Sequence, residues 1–300
     1  MALTFFTDTA EFRKYVRGVD ASVKLEELTP DYNVAKANVY NIIENTLWEA
    51  MKAYHEGTPK TDAKKNILLE YIQIAIANFT QLERWPTQAA FDTSKDYYKY
   101  QVDAIMAKFR NNAYNAMSDM INYLDLEEAY FTDWPATTAY TNRSALIVKD
   151  YKEFDSIYSI DGSSYFFHRT MFLQSEAIND EILPRIKTLA TIADEANILT
   201  AVKRALVYFT MHLAIKRFDV INLPVSIRLA VTNEHTKVNR SGSDDSILLT
   251  NLAADLLSKA QKYFSYIEHE MYKLSDEYDD EVTEIEPNLN DDDNKFYFPG

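Results

Sequence analysis

The sequence predicts an all-α protein made of two tandem helical bundles of similar topology. Three observations predict it: few glycines, apolar residues at helical spacing, and a motif order that recurs. The chain has 300 residues, of which 5 are glycine and 47% are hydrophobic. Glycine supplies the positive φ values that tight hairpins need, so its scarcity disfavours hairpin-rich β folds. The apolar content suffices for a core in each of two domains of about 100–150 residues.

The recurring order consists of two motifs and a closing helix. Asp8–Phe12 reads D-T-A-E-F, and Asp150–Phe154 reads D-Y-K-E-F. Asn66 opens the run NILLEYIQIAIANFTQL, and Asn197 opens NILTAVKRALVYFTMHL. A long amphipathic segment follows each run. We therefore expect one helical unit that has been duplicated, although two unrelated bundles in tandem would give a similar pattern.

The first unit is expected over residues 1–125 and contains three long helices. The first helix should begin at Thr29-Pro30-Asp31, a capping threonine followed by proline, and end at Gly57-Thr58-Pro59. Apolar residues on nearly all sides predict a central helix from Asn66 to about Arg84, ended by Pro86. From about Ser94 to Leu124, apolar residues step by three and four, which predicts a helix with one buried stripe.

The second unit, expected over residues 144–275, repeats this order. A helical region from about Arg169 to Ala193 contains Pro184, which should kink or split it. The apolar segment Asn197–Phe218 predicts the central helix, and the segment from Leu249 to Leu274 predicts the closing one.

Two segments lie outside this helical order. Residues 126–143 contain a Trp-Pro pair and several threonines with little helical period, which predicts a linker. Val225–Val231 alternates like a β-strand, and the polar segment Thr232–Ser246 follows it. We expect a minor β segment or projecting arm over residues 225–246, with a plain solvated loop as the alternative. The candidate interface residues of this segment are Arg228, Lys237 and Arg240.

The tail over residues 276–300 is strongly acidic and ends in aromatic residues. It carries a net charge of −9 out of −15 for the chain, which leaves −6 for the remainder. After Asp291-Asp292-Asp293 come Phe296, Tyr297 and Phe298. Rings that follow an acidic spacer are typical of a peptide anchor that binds pockets on a neighbouring subunit. We predict these three as interface residues; the alternatives are a tail bound to its own bundle and an unattached tail.

Signatures of catalysis are missing from the sequence. There is no cysteine, which excludes disulfides, thiolate zinc sites and cysteine nucleophiles. The glycines are too far apart for a dinucleotide fingerprint or a phosphate-binding loop, and no histidine has zincin or di-iron spacing. His212 is expected as a core histidine, and paired acids as solvated surface. We therefore predict no catalytic, cofactor-binding or metal-ligating residue, with an unrecognised carboxylate site as the enzymatic alternative.

Charge and hydropathy also limit the partners. An acidic chain is a poor general phosphate binder, so nucleic acid is disfavoured as a main ligand. The longest uncharged apolar runs, Tyr71–Leu82 and Ala205–Ile215, are shorter than the roughly 20 residues that span a bilayer. The first residues lack a secretory pattern. We expect a soluble protein, intracellular where it is made, without a membrane partner.

These features resemble the head–tail connector (adaptor) proteins of tailed bacteriophages. More narrowly, the chain is similar to the longer, duplicated connector or ring proteins of phages and prophages of gut Bacteroidetes. The D-x-x-E-F starts, the apolar central helices and the long closing helices carry the resemblance, over about residues 4–275. Such connectors usually carry one unit, so the duplication leaves open which unit faces the portal.

The resemblance implies a structural virion protein without cofactors. It would form a homo-oligomeric ring, commonly a dodecamer, below the portal protein and above the tail or further ring proteins. DNA would pass through as cargo, since a negative lumen repels phosphate. The location would be the neck of the virion, after synthesis in the bacterial cytoplasm. The alternative is a cytoplasmic helical scaffold or adaptor that binds a host or phage protein.

Overall fold

The computed structural model describes residues 3–17, 19, 23–91, 99–187, 192, 195–231 and 242–274. Within these residues the chain is all-α, as the sequence predicts, and it forms no β-strand. Eleven α-helices are described: α1 (Thr9–Tyr15), α2 (Leu25–Glu56), α3 (Ala63–Phe91), α4 (Lys99–Leu126), α5 (Thr138–Ser144), α6 (Tyr151–Ile157), α7 (Ser164–Ala177), α8 (Leu183–Ile186), α9 (Ala196–Arg217), α10 (Val225–Val231) and α11 (Gly242–Lys273).

In the first half, α3 is the central helix, because it packs against both α2 and α4. Leu68, Ile72 and Ile76 on α3 are completely buried. The predicted apolar stripe on α4 is buried in the middle of the helix, where Ala113 and Met117 have no exposed surface. Burial on two sides explains why the sequence of α3 is apolar nearly all round.

In the second half, α9 is the central helix and packs along α11 and against α7. The expected stripe on α11 faces inward, with Leu256, Ala260 and Ile267 buried. Between α7 and α8 the chain forms one π-helical turn over Ile178–Ile182, and Pro184 follows at the start of α8. The predicted interruption of this helical region is therefore confirmed.

The D-x-x-E-F motif has the same structural role in both halves. Asp8 precedes α1 and accepts a hydrogen bond from a backbone N–H of its first turn, at 2.7 Å. Asp150 precedes α6 and does the same, at 3.0 Å. Phe12 and Phe154 are both completely buried. Each motif therefore combines a helix cap with an anchor in the core of its half.

The glutamate of each motif reaches the central helix of its own half. Gln73 on α3 donates a hydrogen bond from Nε2 to Glu11 Oε1 at 2.9 Å. Lys203 on α9 pairs with Glu153, with 2.6 Å between Nζ and Oε1. The same short helix is thus held against the same central helix in both halves, by an amide in one and an ion pair in the other.

Two predicted helix ends are wrong. α2 begins at Leu25, before Pro30, because the completely buried Leu28 anchors the first turn and Glu27 bonds the backbone of Lys24 at 3.3 Å. α3 continues through Pro86 to Phe91. A proline removes one backbone hydrogen bond but does not end a helix whose neighbouring residues remain packed.

The predicted linker over residues 126–143 is folded. Trp134 is buried, and its indole Nε1 donates a hydrogen bond to Asp125 at 2.8 Å. The guanidinium of Arg143 binds the same carboxylate through two hydrogen bonds of 2.5 and 2.8 Å. Thr137 caps α5 by accepting a bond from the backbone of Tyr140. This segment is part of the first core, and its side-chain contacts substitute for the helical period that the sequence lacks.

The predicted strand is also wrong, because Val225–Val231 forms α10. The Pro224 carbonyl accepts the first helical hydrogen bond, at 3.0 Å. From a distant turn, the Asp161 carboxylate accepts a bond from the backbone N–H of Ser226 at 2.9 Å. Ile227 is buried in the second core. A cap supplied by Asp161 and an anchor one turn into the segment favour a helix.

One described helix, α9, is long and apolar enough to cross a membrane by length and composition. Its most apolar window is 67% buried inside the protein, which is the environment of a core helix.

Candidate intersubunit surface

The two halves are joined by α4 of the first and α7 of the second. Ser164 donates a hydrogen bond from Oγ to the Ser118 carbonyl at 3.0 Å. The backbone N–H of Tyr165 donates to Ser118 Oγ at 3.2 Å. Tyr165 belongs to the core of the first half although it lies on α7. Burial raises its pKa to about 12. The first turn of α7 is therefore built into the first half.

Arg169 lies at the centre of this junction. Its guanidinium carbon is 5.6 Å from the ring centroid of Tyr114 and 5.0 Å from that of Phe218. Arg169 Nη1 also donates to the Tyr114 hydroxyl at 3.2 Å, and that hydroxyl donates to Asn222 Oδ1 at 2.7 Å. Asn222 ends a short 3₁₀ helix, Val220–Asn222. The junction thus fixes the 3₁₀ helix and the start of α10 against α4.

Near this junction four apolar residues are exposed, Phe172, Ile221, Val225 and Leu229, and we call them together the exposed apolar face. Ile221 is 44% exposed, Val225 40% and Leu229 57%, and they follow one another at a spacing of four. Phe172 on α7 is 57% exposed, with its ring centroid 6.2 Å from that of Phe218. Single exposed apolar residues are ordinary, but a cluster on neighbouring rigid elements is typical of an interaction surface.

The structure describes one of the six predicted interface residues. Arg228 lies on α10, and its Nη2 donates to Asn111 Oδ1 on α4 at 2.9 Å. Burial, followed by the positive charge of Arg110, lowers the pKa of Arg228. Arg228 therefore ties α10 to the first half, next to the exposed apolar face. The other five, Lys237, Arg240, Phe296, Tyr297 and Phe298, lie outside the described residues.

Sequence reasoning missed the exposed apolar face, although a signal was present. Ile221, Val225 and Leu229 lie at helical spacing, and so do the buried Leu223 and Ile227. The exposed and the buried residues alternate along the chain, so the same segment also fits the spacing of a β-strand. Which set faces outward depends on contacts with α4 and α7, which the local sequence does not contain.

No group of three or more histidines, aspartates or glutamates that could hold a metal ion occurs among the described residues. His212 is a buried core histidine, as expected, and its Nδ1 lies 2.7 Å from the Ala253 carbonyl oxygen.

Comparison with known proteins gives one match, and it covers both halves. Residues 32–144 and 172–284 each match the model of a family described as "Family of unknown function (DUF6712)". The two matches are of equal length and confirm the internal repeat that the motifs predict. No curated protein and no solved structure matches the chain.

Proposed function

We propose that this chain, which belongs to the DUF6712 family and contains its domain twice, is a structural subunit that self-assembles and connects the head and tail of a bacteriophage particle. The observation that carries the proposal is the exposed apolar face beside the junction of the two halves. The connector role itself comes from the resemblance of the helical order to head–tail connectors.

The exposed apolar face has the properties of an assembly interface. Its members lie on short, rigid elements that Arg169 and Arg228 hold against α4. Rigid apolar side chains bind with little loss of conformational entropy, so affinity does not depend on ordering a loop. A ring needs a surface on each subunit that fits a different surface on the next, and this face is one such surface.

Within the particle, we place the subunit in a ring below the portal, in contact with the portal protein and with tail or further ring proteins. The chain's charge of −15 supports a channel role, because an acidic lumen repels the phosphates of passing DNA. Synthesis in the bacterial cytoplasm, assembly into the virion neck and the lack of a cofactor or membrane partner belong to the same proposal.

Further contacts between subunits are assigned to the segments that follow the described helices. Lys237 and Arg240, which follow α10 in the sequence, are proposed as further interface residues. Phe296, Tyr297 and Phe298 are proposed as aromatic contacts to a neighbouring subunit.

The second candidate is a cytoplasmic scaffold or adaptor that binds a host or phage protein. The same exposed apolar face favours it, since such a surface also fits a different protein. Neighbouring genes separate the two: portal, terminase and capsid genes favour the connector.

The test is negative-stain electron microscopy of the purified protein together with its mass by light scattering. We expect closed rings, or a complex with portal protein. A strictly monomeric particle of 34.7 kDa that does not bind portal protein would overturn the connector proposal.

A further inference from the structure

A groove of 590 Å³ lies between α6 and α9 in the second half, and we call it the α6–α9 groove. Ile157 and Leu199 give it apolar surface, and Lys203 and Arg204 give it positive charge. Tyr208 closes one end, with its ring stacked on that of Tyr263 at a centroid distance of 6.0 Å.

A groove beside α1 in the first half has the opposite net charge. This groove of 580 Å³ lies between α1, α3 and α4 and contains Lys14 with Glu70 and Asp119. The α6–α9 groove contains one acid, Glu153, which is paired with a lysine across the groove. Of these two grooves, only the α6–α9 groove has a net positive charge.

Arg204 is the cation that the α6–α9 groove leaves available. It is exposed, and its Nη1 donates to the Tyr263 hydroxyl at 3.1 Å. No carboxylate pairs with Arg204 among the residues that the structure describes. In a chain of net charge −15, an exposed arginine beside an apolar groove favours an acidic segment with large side chains.

The chain contains such a segment in residues 291–300. Three consecutive aspartates precede three aromatic residues, so the segment contains both the acids and the rings that such a groove favours. The acids complement Arg204, and the rings complement Ile157 and Leu199.

The position of α11 brings this segment within reach. His212 contacts Ala253, and Arg204 contacts Tyr263, so α9 and α11 are antiparallel. The carboxyl end of α11 therefore lies beside the amino end of α9, which lines the groove. Residues 275–290 separate the end of α11 from the acidic-aromatic segment and span at most about 53–58 Å when fully extended.

We propose that, in the unassembled subunit, residues 291–300 bind in the α6–α9 groove of their own chain. A tether of this length gives a millimolar effective concentration, so the chain's own segment outcompetes that of another copy in dilute solution. The contact withholds Phe296, Tyr297 and Phe298 from neighbours until assembly displaces them. It exists in the single subunit and does not require that the chain forms a ring.

The test uses the absence of cysteine from the chain. In the full-length protein, Thr200→Cys in the groove is combined with Asn294→Cys in the tail, and disulfide formation is followed under mild oxidation in dilute solution. The matched control combines Lys216→Cys with Asn294→Cys, because Lys216 is exposed on the same helix outside the groove. We expect the groove pair to form an intrachain disulfide at least about tenfold faster than the control pair. Equal rates, or a disulfide between chains, would overturn the proposal.

A charge reversal makes the test specific. Adding Arg204→Glu to the groove pair should slow the disulfide about tenfold, since the aspartates then face a carboxylate. Adding Lys216→Glu should leave the rate unchanged. An unaffected rate with Arg204→Glu would overturn the proposal. Because the readout is a bond within a dilute subunit, failure here is distinguishable from failure to form rings.

Discussion

Arg169 on α7 donates a hydrogen bond to the Tyr114 hydroxyl on α4 at 3.2 Å, and its guanidinium lies over the ring of the same tyrosine. This contact joins the two copies of the repeat. Two independent copies of the repeat would not need this contact. The junction is therefore the place where the two duplicated domains pack together as one body. Tyr165 supports this view, because it lies on α7 yet packs into the first core.

Arg169→Met should lower the free energy of unfolding by about 1–2 kcal/mol, because it removes the cation–π contacts and the bond to Tyr114 while keeping most of the side-chain volume. The measurement is urea denaturation followed by circular dichroism. Arg217→Met is the matched control, because Arg217 forms an ion pair with Glu176 at an exposed position, where water and salt screen the attraction. Equal losses in the two variants would contradict a structural role for the junction.

The repeat motif predicts paired effects. Phe12→Ala and Phe154→Ala should each cost about 3–5 kcal/mol of unfolding free energy, because both rings are completely buried at equivalent places. Phe172→Ala, at an exposed phenylalanine, should change stability by less than about 0.5 kcal/mol. The same denaturation measurement checks all three. A large loss for one motif phenylalanine and none for the other would contradict their equivalence.

The sequence predicted those parts of the fold whose signal is local. The apolar spacing in α3, α9 and α11 predicts a helix without information from distant residues. The capping residues Asp8 and Asp150 predict the starts of α1 and α6 in the same way. These elements and the repeat could be predicted because each copy repeats the same local information.

The parts that could not be predicted depend on contacts that are distant in sequence. The apolar residues of Val225–Val231 fit both a helical and a strand spacing. The hydrogen bond from the Ser226 N–H to the Asp161 carboxylate favours the helix. Residues 126–143 lack a helical spacing of apolar residues. Their fold depends on the hydrogen bonds that Trp134 and Arg143 donate to the Asp125 carboxylate. The exposed apolar face was missed for the same reason, since exposure is set by packing on α4 and α7.

The exposed apolar face leads to a prediction about assembly. Leu229→Arg should weaken self-association or portal binding at least about tenfold, or about 1.4 kcal/mol, because it places a charge in an apolar interface. The unfolding free energy should change little, since Leu229 is exposed. Leu126→Arg is the matched control, because Leu126 is 78% exposed at the end of α4. Analytical ultracentrifugation measures both, and equal association of the two variants would exclude this face as the interface.

His168 should make stability depend on pH. Burial, followed by the charge of Arg143, lowers its pKa from 6.5 to about 4 in the folded chain. The unfolded chain therefore binds more protons between these values, and stability is present above pH 6.5 and lost as the pH falls towards 4, by at most about 3 kcal/mol. His168→Gln should flatten this part of the stability–pH curve, whereas His269→Gln, at an exposed position, should not. An unchanged slope in His168→Gln would contradict the assignment.

Deleting residues 291–300 should weaken self-association or partner binding at least about tenfold without unfolding the body. The reason is that the three aromatic residues of this segment are the proposed contacts to a neighbour. Replacing Phe296, Tyr297 and Phe298 by serine in the full-length chain keeps the acids and tests the rings alone. Sedimentation velocity measures the oligomer, and calorimetry measures the body. If both variants assembled and bound partners as the unaltered chain does, the aromatic contacts would be ruled out, and the exposed apolar face would remain as the proposed interface.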